Sequence, residues 1–575
     1  MISSYKKRIK GNDYVGKMET ILNDPSKFKK VEFKKTFKEV NYLVDKEAEI
    51  NKFFKSLSDK GVFKEDEVER LKPHGSQPGV LYGLCKVHKV VQNGIPPFRP
   101  ILSAINTPAY RLAKFFVPIL SNLTKNEFVL KDSFEFATDI RNQNPELFMA
   151  SFDIDSLFTN LPLDETIDFC VKKTFGKNKR KFQGLTRIEF KTLLEFATKD
   201  VLIMFNGKYY EQIDGVSMGS PLGPTLANVF LCHWEEIWLQ KCSEKFKPVY
   251  YKRYMDDTFL LFSAKDHIKK FFRYINSRHK SMSFTYEEEN DNKLPFLDVL
   301  VSREVSSSQL KTFSTNIYRK PTFSGLYTNF NSFIPESYKT GLFLSLLFRI
   351  YSICSDWSKI HLEIVNLKKI MLKNNFPSRF ADRCINHFLE KLFVKKEIVL
   401  TVPKKVINIS LPYLGKNSLK MRDKLTKLGN TFSPMCKIQV MFNSGKRLCS
   451  FFGFKDKVPL NCRSLILYKF TCSSCNSAYI GKTKRHFLVR MFEHLGISLS
   501  TGSNYTYNPK NNNNTAVLNH INCENCKNCK ATLENCRVIG SAKNDFLLCL
   551  KESLLIQLYK PNLNKNVKSM PLHLF

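Results

Sequence analysis

The chain has 575 residues, of which 43% are hydrophobic and 25% charged. These are ordinary globular values, so a disulfide-stapled mini-protein, wholesale disorder and a fibrous fold are excluded. Lys and Arg (90) exceed Asp and Glu (53) by 37, and such an excess favours a polyanionic partner because Lys and Arg displace the counterions condensed on phosphates. The longest apolar stretch, near 341–348, ends at Arg349 and is too short to cross a bilayer.

The N-terminal segment and the cysteines indicate the compartment. The first residues, MISSYKKRIKGNDYVGK, contain no apolar core and so predict no secretory signal. We therefore expect a reducing compartment, in which cysteines are thiols or metal ligands. Ten of the 16 cysteines lie between Cys436 and Cys549, which predicts a distinct C-terminal module.

The first elements of the chain are helical and then strand-like. Residues 1–75 are Lys-rich, with apolar positions such as Met18, Ile21 and Leu22 at helical spacing. Between 82 and 108 the chain becomes Pro-rich and basic, which favours short strands and turns. Residues 146–153 read ELFMASFD, an apolar strand that ends in an acidic residue.

Two further segments place Gly-rich or acidic residues at the ends of elements. Residues 215–238 begin with the loop GVSMGSPLG and continue as a helix, with Pro224 near its first turn. Residues 252–262, KRYMDDTFLLF, consist of two strand-like runs on either side of an acidic tip and predict a hairpin.

The second half of the chain begins with β-type runs from 294 to 327. A long, Lys-rich helical region is predicted from about 337 to 400, with Leu342, Leu346 and Leu347 at helical spacing. Residues 401–460 give mixed signals and are interpreted as a connector. The Cys-rich residues 461–575 contain a polar stretch, TGSNYTYNPKNNNNT, that predicts a surface loop.

Three aspartates are candidates for metal ligands. Asp256 and Asp257 are adjacent carboxylates that repel each other unless a cation neutralises them, although a lone pair of this kind is most often a solvated turn. With Asp153 as a third carboxylate, the set would hold two Mg²⁺ ions, which favour hard oxygen ligands. Such a pair of ions activates a 3′-hydroxyl and stabilises a leaving pyrophosphate.

The order of these motifs resembles the palm of reverse transcriptases, in which a first Asp, a Gly-rich segment and a YxDD hairpin follow one another. Within that superfamily the wording resembles Penelope-like retroelements. The matching phrases, from about 12 to 575, are YGLCKVHK, PPFRPILS, SFDIDSLFTNLP, QIDGVSMGSPLGPTLANVF, RYMDD, LPFLDVLV and IYRKPT.

The resemblance implies roles for individual residues. Asp153, Asp256 and Asp257 would bind the catalytic Mg²⁺ ions, and Phe158 would be the steric gate at the sugar 2′ position. Lys86 and Arg99 would meet the incoming phosphates, although ordinary basic surface is the alternative, and Asp155 is expected to face solvent. The residues along the template and nucleotide would be Gln212, Gly215 and Met218.

The C-terminal module contains residues suited to phosphodiester hydrolysis. Tyr468 and Tyr479 lie in predicted strands, Arg490 lies in a predicted helix with His494 on the same face, and Glu552 lies in a late helix. A phenolate or a phenol-bound water can deprotonate a nucleophile, Arg can neutralise phosphate charge and Glu can hold one Mg²⁺. Their spacing resembles the GIY-YIG nuclease fold, which follows the polymerase in Penelope-like elements.

One position departs from that pattern. Ile466 stands where the first glycine of GIY is expected, so only Tyr468 carries over from that element. Loss of nuclease activity is therefore left open at this point.

Cysteines and a histidine between these positions have the spacing of zinc ligands. Cys472 and Cys475 form a C-x-x-C pair with His520 downstream. The resemblance implies a structural zinc knuckle from these three residues, with Cys526 or Cys523 as the fourth ligand. Unpaired buried thiols are the alternative.

Together these features predict an α+β protein: a right-hand reverse transcriptase (fingers, palm, thumb) followed by a small α/β GIY-YIG nuclease domain. The predicted domains are 1–145 (N-terminal helices and fingers, expected to be truncated at the N-terminus), 146–335 (palm), 336–400 (thumb), 401–460 (connector) and 461–575 (nuclease with zinc knuckle).

The resemblance implies target-primed reverse transcription. The nuclease would nick DNA and the palm would extend the exposed end on an RNA template, so the partners are RNA template, DNA primer and target, and dNTPs, with no membrane. The cofactors would be two Mg²⁺ in the polymerase, one in the nuclease and a structural Zn²⁺. Chromosomal DNA as target implies the nucleus, after cytoplasmic synthesis.

Two rival interpretations remain at this point. One is a catalytically decayed, nucleic-acid-binding remnant, against which the intact set of palm aspartates and of Tyr, Arg and Glu residues argues. The other is a telomerase-like or group II intron-type polymerase, which is not expected to carry this C-terminal nuclease.

Overall fold

The computed structural model combines helices with mainly antiparallel sheets, which confirms the predicted mixture of α and β structure. It describes residues 11–33, 38–86, 97–305, 311–393, 405–432, 436–443, 455–498, 514–523 and 533–564. Over these ranges, none of the helices combines the length and apolarity needed to pass through a bilayer.

The helices, in chain order, are α1 (Gly11–Leu22), α2 (Lys38–Asp59), α3 (Glu65–Leu71), α4 (Tyr110–Leu120), α5 (Ser133–Ile140), α6 (Leu157–Asn160), α7 (Leu163–Phe175), α8 (Arg187–Thr198), α9 (Gly223–Gln240), α10 (Lys265–Asn276), α11 (Glu336–Ile353), α12 (Trp357–Lys373), α13 (Ser378–Phe393), α14 (Lys416–Phe432), α15 (Phe487–Leu495), α16 (Ala516–Ile521) and α17 (Asp545–Tyr559). Short 3₁₀ turns cover Ser121–Thr124, Leu460–Cys462 and Leu533–Asn535.

The strands, in chain order, are β1 (Phe28–Val31), β2 (Gly79–Cys85), β3 (Phe98–Ser103), β4 (Phe148–Ile154), β5 (Lys181–Phe182), β6 (Leu185–Thr186), β7 (Val201–Phe205), β8 (Lys208–Gln212), β9 (Tyr250–Tyr254), β10 (Asp257–Phe262), β11 (Phe284–Glu288), β12 (Lys293–Phe296), β13 (Val299–Val305), β14 (Lys311–Ile317), β15 (Lys405–Pro412), β16 (Cys436–Asn443), β17 (Ile466–Thr471), β18 (Ala478–Thr483) and β19 (Cys536–Ser541).

The chain divides into two compact units, each assembled from separate stretches of sequence. The first comprises Met1–Lys125, Ser156–Glu235 and Phe454–Phe575, and the second comprises Asn126–Asp155 and Glu236–Gly453. The first unit contains a five-stranded sheet in the order β1-β8-β7-β2-β3. Only the β2–β7 pair in this sheet is parallel. Its core includes Met18, Leu81, Leu102, Ile203 and Tyr210, so the apolar side of α1 packs on the sheet, as its helical spacing predicts.

The first unit also contains the C-terminal module, built on an antiparallel sheet in the order β18-β17-β19. The strands and the helix expected around Tyr468, Tyr479 and Arg490 are confirmed. The core of this module includes Ile466, Phe470, Phe487, Met491 and Val517. Strand β17 lies between the other two, and its successive residues Ile466, Leu467 and Tyr468 are all buried. Because successive side chains of a strand point to opposite faces, both faces of the sheet are covered there.

The C-terminal module packs directly on the N-terminal helices of the same unit. A shared apolar cluster contains Val40 and Leu43 of α2, Leu202 of β7, and Cys462 and Leu488 from the module. Burying apolar surface on both sides in this way contributes roughly 25 cal/mol per Å². The two segments therefore share one core.

A buried polar contact, which we call the His486 latch, lies beside this cluster. His486 Nε2 lies 2.6 Å from the carbonyl oxygen of Ser76, and the Ser76 amide donates to Glu47 Oε1 at 2.5 Å. At Gly75 a Cβ atom would lie 2.6 Å from the Cβ of Ser464 and would clash with the carbonyl oxygen of Lys484. No side chain fits there without a shift of backbone.

The second unit is organised around a four-stranded antiparallel sheet in the order β11-β4-β10-β9. Helix α10 covers it through Ile268, Phe271 and Ile275, which are three and seven residues apart and therefore lie on one helical face. Phe271 meets Phe152 of β4 and Phe262 of β10 with ring centroids 5.8 and 5.7 Å apart. The predicted strand ending at Asp153 and the predicted hairpin at 252–262 are both confirmed.

Beyond the sheets of the second unit, the predicted helical region after residue 337 is confirmed as α11, α12 and α13, which share a core around Phe343, Leu347, Leu367 and Phe380. The segment interpreted as a connector has a fold of its own. Strands β15 and β16 pair in parallel with α14 between them in sequence, so 405–443 is a β-α-β unit. Parallel neighbours require a crossover, and α14 supplies it.

Candidate functional site

A tight turn at the tip of the β9–β10 hairpin carries two of the aspartates. Tyr254 and Asp257 face each other in the ladder, with Met255 and Asp256 between them. Met255 adopts a left-handed conformation, with φ of 57°, which is strained for a residue with a side chain. The fully buried Arg253 donates from Nη1 to the carbonyl oxygen of Met255 at 2.8 Å, and this bond helps to hold the turn.

The third aspartate lies across the sheet from this turn. Asp153, the penultimate residue of β4, is the direct ladder partner of Asp257. Opposed residues of antiparallel strands lie about 4.5–5.5 Å apart between Cα atoms. The amide of Ile154 donates to the carbonyl oxygen of Asp256 at 3.3 Å. The structure therefore brings Asp153, Asp256 and Asp257 together at one end of the sheet.

The electrostatics of this carboxylate cluster are those of a cation site. The pKa of Asp257 is raised from 3.8 to about 6 by burial and by the negative charges of Asp256 and Asp153, and only Lys320 acts in the opposite direction. Adjacent carboxylates of this kind repel one another when ionised. A divalent cation with oxygen ligands would remove that repulsion, so the donor set fits Mg²⁺. Asp155 is exposed, as expected.

The residues expected along template and nucleotide lie in the first unit. Gln212 at the end of β8 is buried and its side chain donates to the Asp214 carbonyl oxygen at 3.1 Å. The Met218 carbonyl accepts from the Leu102 amide at 2.8 Å. Gly215 has φ of 76°, and a Cβ there would lie 2.5 Å from the Thr159 carbonyl oxygen. The loop is thus fixed through its backbone.

Of the remaining three expected residues, one is exposed and two are partly buried. Phe158 is half-buried on α6, and its carbonyl accepts from the Val216 amide at 2.7 Å. Arg99 is exposed on β3, opposite Leu84 of β2. Lys86 follows β2, and its amide donates to Pro97. Arg99 and Lys86 therefore lie on or beside neighbouring strands.

This motif order and geometry agree with the comparison to protein families. Residues 92–290 match the family described as reverse transcriptase (RNA-dependent DNA polymerase), a range that contains the three aspartates and the Gly-rich loop. The chain contains a reverse transcriptase domain. Residues 326–386, beyond the reverse transcriptase domain, match the animal helix-turn-helix domain family.

Solved structures similar to this chain include telomerases and a viral polymerase. Telomerase from Candida albicans, in complex with a TWJ fragment of telomeric RNA, is 12% identical over 59% of this chain and 64% of that one, with a TM-score of 0.39. Apo telomerase from Candida tropicalis is 11% identical over 68% and 64%, with a TM-score of 0.37. The BmCPV RNA-dependent RNA polymerase is 11% identical over 49% and 27%, with a TM-score of 0.29. The chain spans less than two thirds of the length of each. No curated protein matches it.

Outside the reverse transcriptase domain, the C-terminal module gathers a second polar cluster around Tyr468. This tyrosine is fully buried, and its hydroxyl lies 2.6 Å from His494 Nε2 and accepts from Arg490 Nε at 3.1 Å. Burial raises the pKa of Tyr468 despite the nearby Arg490. Arg490 also donates to Glu493 at 2.9 Å, and its pKa is raised by the phenol oxygens and Glu493 against the opposing effect of burial.

The other two expected residues of this cluster are partly accessible. The ring of Tyr479 lies 6.2 Å from that of Tyr468. Burial raises the pKa of Glu552. The charges of Lys482 and Arg490, and a hydrogen bond that the backbone amide of Lys482 donates to Glu552, act in the opposite direction. Two of the expected residues, Glu552 and Tyr479, thus flank the Tyr468–Arg490 pair.

The predicted zinc ligands are described in part. The ligand atoms of Cys472, Cys475 and His520 lie within 4.8 Å of one another, and Cys475 Sγ is 3.3 Å from His520 Nε2. Two thiolates and an imidazole at such distances fit a tetrahedral Zn²⁺ with bonds of about 2.0–2.3 Å. Cys526 lies outside the described residues. Cys523 is described but is not part of this group.

Sequence reasoning missed two residues that shape these sites. Arg253 precedes the YMDD turn, but nothing in the sequence showed that its side chain would be buried, because arginine is mostly exposed. Gly481, two residues after Tyr479 in the phrase Tyr479-Ile480-Gly481, was not identified as a residue of the site. A Cβ at this position would lie 2.6 Å from both Tyr468 Oη and Tyr479 Cε1, so the glycine makes room for the two phenols. The glycine in YIG was the available signal.

Proposed function

We propose that the chain is the RNA-directed DNA polymerase of a Penelope-like retrotransposon, with a GIY-YIG endonuclease that nicks DNA for target-primed reverse transcription. The observation that carries the polymerase is the register of β4 and β10, which sets Asp153 opposite Asp257 beside Asp256. The family-specific phrases along the chain support the subtype. The substrates would be an RNA template, a DNA primer and dNTPs.

In this proposal each polymerase residue has one task. Asp153, Asp256 and Asp257 hold two Mg²⁺ ions, which when bound lower the pKa of the primer 3′-hydroxyl and neutralise the leaving pyrophosphate. Arg99 and Lys86 contact the triphosphate, for which the guanidinium of arginine offers a bidentate fork. Gln212, Gly215 and Met218 would position the template and the nucleotide through the fixed backbone of their loop. The ring of Phe158 would contact the sugar.

Primer extension on an RNA template tests the polymerase. The Asp256→Asn and Asp257→Asn variants should each extend at least about 100-fold more slowly, because a catalytic metal contributes several kcal/mol and each 1.36 kcal/mol is tenfold in rate. Asp155→Asn is the matched control, since it removes the same charge from an exposed neighbour and should extend at the parental rate. A parent chain that does not extend at all would favour the decayed, nucleic-acid-binding remnant.

The nuclease is the second activity, favoured by the Tyr468–Arg490–His494 contacts. Because burial raises the pKa of Tyr468, this phenol stays neutral and orients Arg490. The partly accessible Tyr479 would then act near the nucleophile, Arg490 would neutralise phosphate charge and Glu552 would hold one Mg²⁺. A structural Zn²⁺ on Cys472, Cys475 and His520 would support the same sheet.

Nicking of supercoiled plasmid with Mg²⁺ tests this activity. Arg490→Ala and Glu552→Gln should each nick about 100-fold more slowly, since each removes one charge-stabilising interaction of about 3 kcal/mol, while primer extension persists. Arg485→Ala is the control, because Arg485 pairs with the same Glu493 but is half exposed. Equal nicking by all four proteins would rule out this site.

We also propose that the chain acts in the nucleus after cytoplasmic synthesis, because the nuclease substrate would be chromosomal DNA. Imaging of a tagged full-length chain tests this. A signal confined to the cytoplasm, under conditions in which new insertions are recovered, would contradict it.

A further inference from the structure

The β-α-β unit of residues 405–443 presents a row of lysines along its helix. Lys416, Lys420, Lys424 and Lys427 lie on α14 and all are exposed. With about 3.6 residues per turn, these four positions fall within an arc of about 80°. With a rise of about 1.5 Å per residue, they extend over about 16 Å. We refer to these four residues as the lysine row.

The opposite side of α14 packs on the two-stranded sheet of the unit. A Cβ at Gly429 would lie 2.5 Å from Ile438 Cδ1 on β16, so helix and strand are in close contact there. Ser418 and Leu425 lie within about 40° of Gly429 around the helix, and Ser418 is buried while Leu425 is partly buried. The lysine row is therefore on the side of the helix that faces away from the sheet.

The positive charge of the row is not neutralised within the described part of the chain, where no carboxylate lies within 4 Å of any of its four ammonium groups. The single acidic residue in 405–443 is Asp423, and it pairs with Arg422 at 2.8 Å. On the preceding helix α12, by contrast, Lys359 pairs with Asp356 and Lys368 pairs with Asp382. Like charges four residues apart on a helix destabilise it, so an uncompensated row of this kind suits an anionic partner.

We propose that the lysine row binds the phosphate backbone of a nucleic-acid duplex. A row of about 16 Å spans about five phosphates of one strand at 3.4 Å each. The inference rests on the proposed polymerase for the identity of the natural ligand, an RNA–DNA hybrid. Its binding contact is nevertheless separate from the aspartate cluster.

The salt dependence of binding to a synthetic RNA–DNA hybrid tests the proposal. The triple variant Lys420→Gln/Lys424→Gln/Lys427→Gln removes three contacts, and each contact contributes about 0.9 to the slope of log affinity against log salt. Between about 50 and about 200 mM KCl the parent should therefore lose about 40-fold more affinity than the variant. Gln and Lys have similar helix propensities, so α14 should persist, as circular dichroism would check.

Two matched variants distinguish an effect of the lysine row from an effect of the protein's total positive charge. Lys420→Arg/Lys424→Arg/Lys427→Arg should keep the parental slope. Lys269→Gln/Arg273→Gln/Lys280→Gln removes the same charge from exposed residues on or just after α10 and should keep it as well. An unchanged slope in the glutamine row variant, or an equal loss in the α10 control, would overturn the proposal.

Two further arms distinguish the row from the polymerase site and from a lipid-binding surface. All proteins carry Asp256→Asn, so a slope difference that appears in this inactive background supports the row even if the polymerase assignment fails. Phosphatidylcholine–phosphatidylserine vesicles are the second probe. Weakened vesicle binding by the glutamine row variant, with unchanged hybrid binding, would assign the row to a membrane surface and contradict the proposal.

Discussion

Replacing Asp257 by asparagine is expected to stabilise the chain in the absence of metal. The rise in the pKa of Asp257 from 3.8 to about 6 means that folding disfavours the ionised carboxylate. At about 1.36 kcal/mol per tenfold change this corresponds to about 3 kcal/mol. Since the carboxyl is partly open to solvent, screening reduces the effect to about 1–2 kcal/mol.

The direction of the Asp257 pKa shift determines the pH range in which the stability difference between the parent and Asp257→Asn is present. Below about pH 4 the carboxyl is protonated in both folded and unfolded chains, so parent and Asp257→Asn should be equally stable. As pH rises from about 4 to about 6 the parent loses stability, because its raised folded-state pKa makes the unfolded chain release the proton first. Above about pH 6 the variant should be more stable by the full 1–2 kcal/mol.

Hydrogen exchange of the β10 amides in EDTA, at several pH values, measures the opening free energy where the carboxylates lie. Mg²⁺ at about ten times its dissociation constant should raise the opening free energy of the parent by about 1.4 kcal/mol. This would cancel most of the difference in stability between the parent and Asp257→Asn. Asp155→Asn serves as control: it keeps all three aspartates of the cluster, so it should match the parent in EDTA and be stabilised by Mg²⁺ to the same extent. An Asp257→Asn variant that opens more easily than the parent at pH 7.5 in EDTA would refute the reasoning.

Three further outcomes are expected. Tyr468→Phe leaves the buried His494 without its hydroxyl partner and should lower the free energy of unfolding by about 1–3 kcal/mol, measured by urea denaturation of the full chain; an unchanged midpoint would contradict the role given to that contact. Gly341→Ala, in helix α11 with nothing within 4 Å of the new Cβ, should raise it by roughly 0.5–1 kcal/mol, and a loss would show that the site is not open. Cys472→Ser should reduce zinc from one per chain towards none by atomic absorption, whereas Cys462→Ser should not.

Much of the fold could be predicted because local patterns agreed with it. Two strand-like runs on either side of an acidic tip predicted the β9–β10 hairpin, and helical patterns predicted α9 and the run from α11 to α13. Strands β1 and β11 were missed, because FKKV and FTYEE carry charges that hide the alternation of a half-exposed strand. The β15–β16 pairing joins residues about 30 apart in parallel, and no local pattern in the sequence shows which distant strands become neighbours.

For the candidate sites as well, the sequence identified residue types but not how deeply each residue is buried. The sequence identified Asp153, Asp256 and Asp257 as a set because the resemblance supplied their relation, and the structure places them on one sheet end. It identified Tyr468 but not its full burial, which depends on residues packed from α15 and β18. Burial of Arg253 was equally inaccessible to sequence reasoning, since arginine is among the residues most often found at the surface.

The contact between the two ends of the chain has a consequence for the order in which the protein matures. Leu488 and the His486 latch need α2 and the Ser76 carbonyl as partners, and these are made first by the ribosome. The C-terminal module is therefore synthesised after the segments on which it packs. A fragment starting near residue 455 would instead present that apolar side to water, so the C-terminal module should not be transferable to another protein by cutting at the preceding segment.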